Sequence, residues 1–394
     1  MKLADISSIC AAHLGRIVPR IPKNTLEDQL KLSGNRPSGF DYLRIILAVS
    51  IVFWHTVMVC YGLEAEIPFW TGWTRPLIFS IVPAFFALSG FLVAGSLLRN
   101  SLPAFLMLRA LRIYPALACE VIISALIIGP ALTVYTYSEY FSDPLFYRYM
   151  LNAIGYIHYE LPGVFLDNPG GRAVNVQLWT VPYELECYLA ITGLAILGIT
   201  RWPVLLAAAI AGLTVMSMGK DHTDLLVNSV PPGRLLVLAF LSGVLLYLWR
   251  KRITGHVAFF VLVLIVALQL LGTHHTATLS ALPLAYVTVW LGLRNPPRNI
   301  LVAGADYSYG IYLYGFAIQQ AIAFLLPEYR IWYVNGILTI LFASAFAYLS
   351  WHFIELPVMQ RKHHILSFFA VRTRRAKEML FQKQNIKPQV VSPK

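Results

Sequence analysis

Phe40–Thr56, FDYLRIILAVSIVFWHT, carries a histidine into an apolar run long enough to cross a bilayer. A titratable ring inside hydrocarbon is costly unless it faces a cavity or a partner, so His55 marks a candidate site. Arg44 precedes His55 by 11 residues, close to a whole number of turns at 3.6 residues per turn. Both side chains therefore share one helix face, with Ala48 and Ile51 between them. That face offers a fixed cation near one membrane surface and an imidazole about 16 Å further in, from a rise of about 1.5 Å per residue.

The rest of the composition agrees with a membrane reading. Of 394 residues, 58% are apolar and 13% charged, and the mean hydropathy is +0.64. Such a chain is too apolar for a soluble domain, and an all-α polytopic membrane bundle is expected. Cys10, Cys60, Cys119 and Cys187 are scattered without CxxC or metal-type spacing, so neither a disulfide framework nor a metal site is expected. No signal peptide is read at the N-terminus, whose short apolar stretches are broken by Asp5, His13 and Arg16.

Apolar runs near the length of a span recur about ten times: Leu43–Leu63, Pro76–Leu98, Leu111–Tyr135, Leu178–Ile199, Pro203–Met218, Leu235–Trp249, His256–Gly272, Ala277–Leu293, Ser308–Leu326 and Ile331–Ile354. The fifth and sixth are short. If the N-terminus is cytoplasmic, only Arg75, Arg148, Arg172, Lys220, Arg234 and Arg330 of the 31 Lys and Arg fall outside. The positive-inside rule thus predicts about ten transmembrane helices with both termini cytoplasmic. The same distribution removes nucleic acid as a partner, because the basic excess lies along one membrane face.

The domain reading is a basic cytoplasmic leader at 1–41, a transmembrane domain at 42–360 and a basic cytoplasmic tail at 361–394 that is read as a solvated, lipid-facing or disordered segment rather than a domain. Within the transmembrane domain, 136–177 is expected as one large external loop. It is rich in tyrosine, which suits either sugar contact or the interfacial aromatic belt, and it ends in DNPGGR at Asp167–Arg172.

Three constellations interrupt the apolar background. ALSGFLVAGS, Ala87–Ser96, puts small residues in the second span, where Ser89 and Gly90 either allow close helix packing or leave room for a ligand. RALR, Arg109–Arg112, sets two guanidinium groups at i and i+3. These serve as topological anchors or as a phosphate-binding fork. LWTVPYELECYL, Leu178–Leu189, places Glu184 and Glu186 inside the fourth span on nearly opposite faces. Counted from the outer surface, Glu184 lies about 9 Å deep and His55 about 12 Å deep. A His55–Glu184 pair is therefore expected, either fixing the imidazole for chemistry or tying two helices together.

The ordered set FDYLR with its histidine, SGF at Ser89–Phe91, RxxR at Arg109–Arg112, LWTVPYE, SYGIYLY at Ser308–Tyr314 and IELP at Ile354–Pro357 resembles the acyltransferase 3 family of integral membrane O-acyltransferases. The resemblance spans residues 40 to about 357. It implies transfer of an acyl group, usually acetyl, from acyl-CoA to hydroxyls of surface or exported glycans or lipid-linked saccharides, in the bacterial inner membrane. It also implies that His55 is the essential histidine, with Arg44, Arg109, Arg112 and Glu184 as its companions. Many members have a histidine after the SYGIYL-like motif, where this chain has Tyr314 and Gly315.

The residues and the resemblance converge on one expectation. The phosphates of acyl-CoA, a donor substrate rather than a bound cofactor, meet Arg44, Arg109 and Arg112 at the cytoplasmic surface. The pantetheine arm rises past Ser89 and Gly90, and His55 acts as general base or as a transient acyl carrier, held by Glu184. The rival expectation is a transporter or flippase for a lipid-linked saccharide, with His55 and Glu184 as a proton relay.

Overall fold

The computed structural model describes residues 24–217, 231–273, 275–299, 302 and 304–362. The leader up to residue 23, the tail from residue 363, Cys10 and Lys220 lie outside these. The protein is helical throughout, and among the described residues the only extended pairings are two isolated bridges, Thr25–Thr254 and Thr133–Val164.

A short helix α1, Leu26–Leu32, precedes ten apolar helices that coincide with the ten apolar runs. They are α2 Gly39–Tyr61, α3 Arg75–Arg99, α4 Leu102–Ile123, α5 Thr180–Ile196, α6 Pro203–Ser217, α7 Gly233–Trp249, α8 Val257–Leu271, α9 Ala281–Gly292, α10 Tyr307–Leu325 and α11 Trp332–Ser350. Two of them continue through a wider π turn. Ser124–Ile128 leads α4 into Gly129–Leu132, and Trp351–Glu355 leads α11 into Leu356–Gln360. Each π turn ends two residues before a proline, Pro130 or Pro357. A proline ring clashes with the carbonyl four residues back, and the wider turn moves that carbonyl away.

Counted with these continuations, four helices are long and apolar enough to cross a membrane: Gly39–Tyr61, Arg75–Arg99, Leu102–Leu132 and Trp332–Gln360. The 15-residue α6 and α8 reach about 22 Å, short of a hydrocarbon core of about 30 Å. Their outward faces are nonetheless bare aliphatic surface, with Val215, Val257, Leu262 and Ile265 all more than half exposed. Apolar exposure on that scale belongs against lipid.

At the centre, α3 and α7 cross with their backbones in contact. A Cβ on Gly90 would stand 2.0 Å from the Phe240 carbonyl oxygen, and one on Gly243 would stand 2.1 Å from that of Ala87. Only glycine permits this approach. α10 packs between α2 and α11 on the other side of the bundle.

The segments read as facing the cytoplasm meet at one end. Leu26 N donates to Ile253 O at 3.1 Å, Glu27 pairs with Arg250, Arg294 donates to Gln29 at 3.1 Å, and Ser38 N donates to Asn295 at 3.1 Å. The large loop closes the opposite end. Its helices Tyr137–Ser142 and Pro144–Met150 are capped by Thr136 and Asp143, and Tyr140 anchors them by donating to Ala125 O at 2.8 Å. Tyr140 and Tyr149 are buried, whereas Tyr137, Tyr147 and Tyr156 are exposed as an interfacial belt requires. The DNPGGR hairpin is stitched to α10: Asn168 Nδ2 donates to Gln320 Oε1 at 3.0 Å, and Gln320 Nε2 donates to Gly171 O and Ala173 O at 2.9 Å each.

Candidate active site

The second turn of α2, the middle of α4 and the N-cap of α10 converge on a cluster of charge. Arg44 Nη1 lies 2.8 Å from Asp306 Oδ2, and Arg112 Nη2 lies 2.5 Å from the same oxygen. Arg112 Nη1 reaches Glu355 Oε2 at 3.2 Å, where the π turn after α11 has brought it. Ser308 donates to Asp306 Oδ1 at 2.5 Å, and Ser350 donates to Glu355 Oε1 at 3.1 Å. Burial by itself would raise the Asp306 carboxyl, but Arg112, Arg44 and the Ser308 bonds outweigh it and hold the group at about 2.

Asp306 and Glu355 are the residues that sequence reasoning missed. Glu355 is the acidic residue of IELP itself, and Asp306 stands two residues before SYGIYLY; a carboxylate at the end of an apolar helix is itself a signal for a partner. With Arg112 held by two carboxylates and Arg44 by one, Arg109 differs from both. No carboxylate among the described residues lies within ion-pair distance of it, its Nε is buried without a hydrogen-bond partner, and its guanidinium sits 5.9 Å above the Phe105 ring.

These three arginines line one end of a cavity of about 130 Å³ between α2, α3, α4, α5 and α10. Its walls continue through Ser89, Glu184, Tyr188 and Tyr309 to Thr180 and Tyr312. The structure thus brings together Arg44, Arg109, Arg112, Ser89 and Glu184. Gly90 faces away into the α3–α7 crossing, so its smallness serves packing and leaves no room for a ligand. Glu186 is exposed.

The expected His55–Glu184 pair is not made. Glu184 Oε1 accepts from Tyr188 OH at 2.5 Å, one turn along α5. His55 stands outside the cavity lining, edge-on to Phe316 with ring centroids 5.4 Å apart, and its Nδ1 is buried without a hydrogen-bond partner. The depth count fails because α5 begins well below the outer surface, beside the N-terminal end of α10, where Tyr312 OH donates to Gln177 O at 2.8 Å. The preceding residues fold down over α10, and Val176 packs with Met58 against the Val59–Phe316–Ala323 cluster beside His55. The place next to α2 that the pairing needed is taken by the loop. Glu184 belongs with the arginines instead.

The sequence matches the acyltransferase 3 family, described as an acyltransferase domain, over residues 38–354. The chain belongs to this family and is a membrane acyltransferase. It is similar to nodulation protein 10 of Rhizobium leguminosarum bv. viciae, at 29% identity over 85% of this chain and 96% of that protein. It is also similar to the O-acetyl transferase of Shigella phage Sf6, at 25% identity over 84% of this chain and 99% of that protein. No solved structure matches it.

Proposed function

We propose that the chain is an O-acetyltransferase of the bacterial inner membrane that moves an acetyl group from cytoplasmic acetyl-CoA to a hydroxyl of a surface or exported glycan. The observation that carries this reading is the cavity, with three arginines at one end and Glu184, hydroxyls and apolar side chains along the rest of its wall. A CoA thioester has the same polarity, with phosphates at one end of a slim arm and the reactive carbonyl at the other. Arg109, which has no carboxylate partner among the described residues, takes a phosphate through charge-assisted bonds, and Arg44 and Arg112 add positive field held in place by Asp306 and Glu355. Glu184 and Ser89 accept from and donate to the amides of the arm. The acyl end passes Thr180 and Tyr312 toward His55, which takes the proton of the attacking hydroxyl as general base.

Ten membrane crossings with cytoplasmic termini fit this arrangement. The ends of α7 and α9, the starts of α2 and α10 and the segment 26–38 all meet on the face that holds the arginines. The relative named as an O-acetyl transferase supports acetyl as the group and oxygen as the acceptor atom.

Purified protein supplied with [14C]acetyl-CoA and glycan isolated from its own host should label the glycan. If the protein neither binds the donor nor labels any glycan, the reading fails, and proton-coupled uptake of a saccharide without labelling would establish the transport alternative.

A further inference from the structure

His55 stands outside the arginine cavity, and the Gln177 side chain lies near the contact between α2 and α10 that also carries His55. Gln177 stands in the turn Val176–Trp179 ahead of α5 and is 1% exposed. Its backbone is fully engaged: the amide donates to Asn175 Oδ1 at 3.2 Å, and the carbonyl accepts from Tyr312 OH at 2.8 Å and from Thr180 Oγ1 at 3.3 Å. Both hydroxyls belong to the cavity wall. The carboxamide has no hydrogen bond at either atom, Nε2 or Oε1. Exchanging the two atoms would not change this, so the finding is independent of how the amide is oriented.

The surroundings show what this side chain faces. A Cβ on Gly315 would lie 3.8 Å from Gln177 Oε1, 3.9 Å from Nε2 and 3.0 Å from Val52 Cγ2. Val52 precedes His55 by one helical turn on the same face of α2. Phe316, the residue after Gly315, carries the His55 ring on its edge. The Gln177 carboxamide and the His55 imidazole therefore lie within about one turn of each other along the contact between α2 and α10, and each has a buried nitrogen without a partner. The glycine at 315 keeps the carboxamide against α2 without a side chain in between. Buried amides without partners are rare in folded proteins and destabilise them, and where they persist a ligand is the natural partner.

We propose that Gln177 is a catalytic residue of the acyl transfer, donating from Nε2 to the thioester carbonyl oxygen as it becomes an oxyanion. This rests on the acyltransferase reading above. In the step, the acceptor hydroxyl oxygen bonds to the acyl carbon while His55 takes its proton. The carbonyl electrons move onto the oxygen held by Gln177. Collapse of the adduct breaks the carbon–sulfur bond, and the thiolate leaves with the proton returned from His55. The donor is placed where charge develops, which is where such a group accelerates the reaction most.

The test compares wild type with Gln177→Met, which keeps the length and volume of the side chain and removes both N–H donors, and with Gln177→Leu, which removes them with a branched apolar side chain. Acetyl transfer, the KM for acetyl-CoA and the thermal midpoint are measured on each. The expected result is a fall in kcat of about 10²–10³-fold in both variants, with KM within threefold and the Gln177→Met midpoint equal to or above wild type. A structural amide would behave in the opposite way, because its loss lowers the midpoint and the rate together. Wild-type kcat in Gln177→Met, or a midpoint that falls in step with kcat, would overturn the assignment. Failure of the wild type itself to transfer acetyl would instead refute the function on which the assignment rests.

Discussion

Asp306 joins α2, α4 and α10 through its two arginines, and replacing it with asparagine tests the charge cluster without changing its shape. The carboxyl is held at about 2, against an ordinary value of 3.8. At about 1.4 kcal/mol per pH unit, this difference corresponds to about 2 kcal/mol of stability. Because the folded value lies below the unfolded one, the contribution is complete above pH 4 and is lost as the pH falls from about 4 to about 2. The Asp306 side chain is 19% exposed, so solvent screening does not remove the effect. Thermal unfolding of purified protein in detergent should place Asp306→Asn about 2 kcal/mol below wild type at pH 7, with the two curves converging near pH 2. If Asp306→Asn matches wild type at pH 7 and loses stability equally in acid, the cluster contributes nothing and the argument for a preformed basic site is refuted.

Further outcomes follow from particular contacts. Glu66, in the turn after α2, is 1% exposed, and burial pushes its carboxyl up to about 8 against the backbone bond at Met58. Its ionisation therefore opposes folding increasingly between pH 4.5 and 8, and Glu66→Gln should flatten the decline of the thermal midpoint over that range. Gly90→Ala puts a methyl group 2.0 Å from the Phe240 carbonyl oxygen, so unfolding assays should show a loss of about 1–3 kcal/mol. Arg109→Ala should leave the midpoint unchanged, because no ion pair among the described residues is broken, while raising the KM for acetyl-CoA about 10- to 100-fold, the equivalent of one charged hydrogen bond.

The helices and the arginines were legible from sequence because both rest on local rules. Each of the ten apolar runs formed a helix, four of them long and apolar enough with their continuations to cross a membrane, and the i, i+3 spacing put Arg109 and Arg112 on one cavity. Gly90 was read as an open question and proved to be a helix crossing, which depends on where Phe240 falls 150 residues away. The His55–Glu184 pair was not recoverable by counting depth. Counting assumes that each span begins at the membrane surface, whereas residues 168–177 fold inward and α5 starts beneath them. Asp306 and Glu355 were equally hidden, because their role appears only when α10, α11 and α4 are brought together. What the sequence lacked was the docking of one segment on another.

The central claim is that His55 performs the chemistry on an acyl group delivered from the arginine cavity. The rate of label transfer from [14C]acetyl-CoA to glycan in proteoliposomes carrying His55→Ala, divided by the wild-type rate at equal folded protein, tests it most directly. The account predicts a fall of about 10²–10⁴-fold, the contribution of a positioned general base. Transfer at the native rate by folded His55→Ala would contradict it.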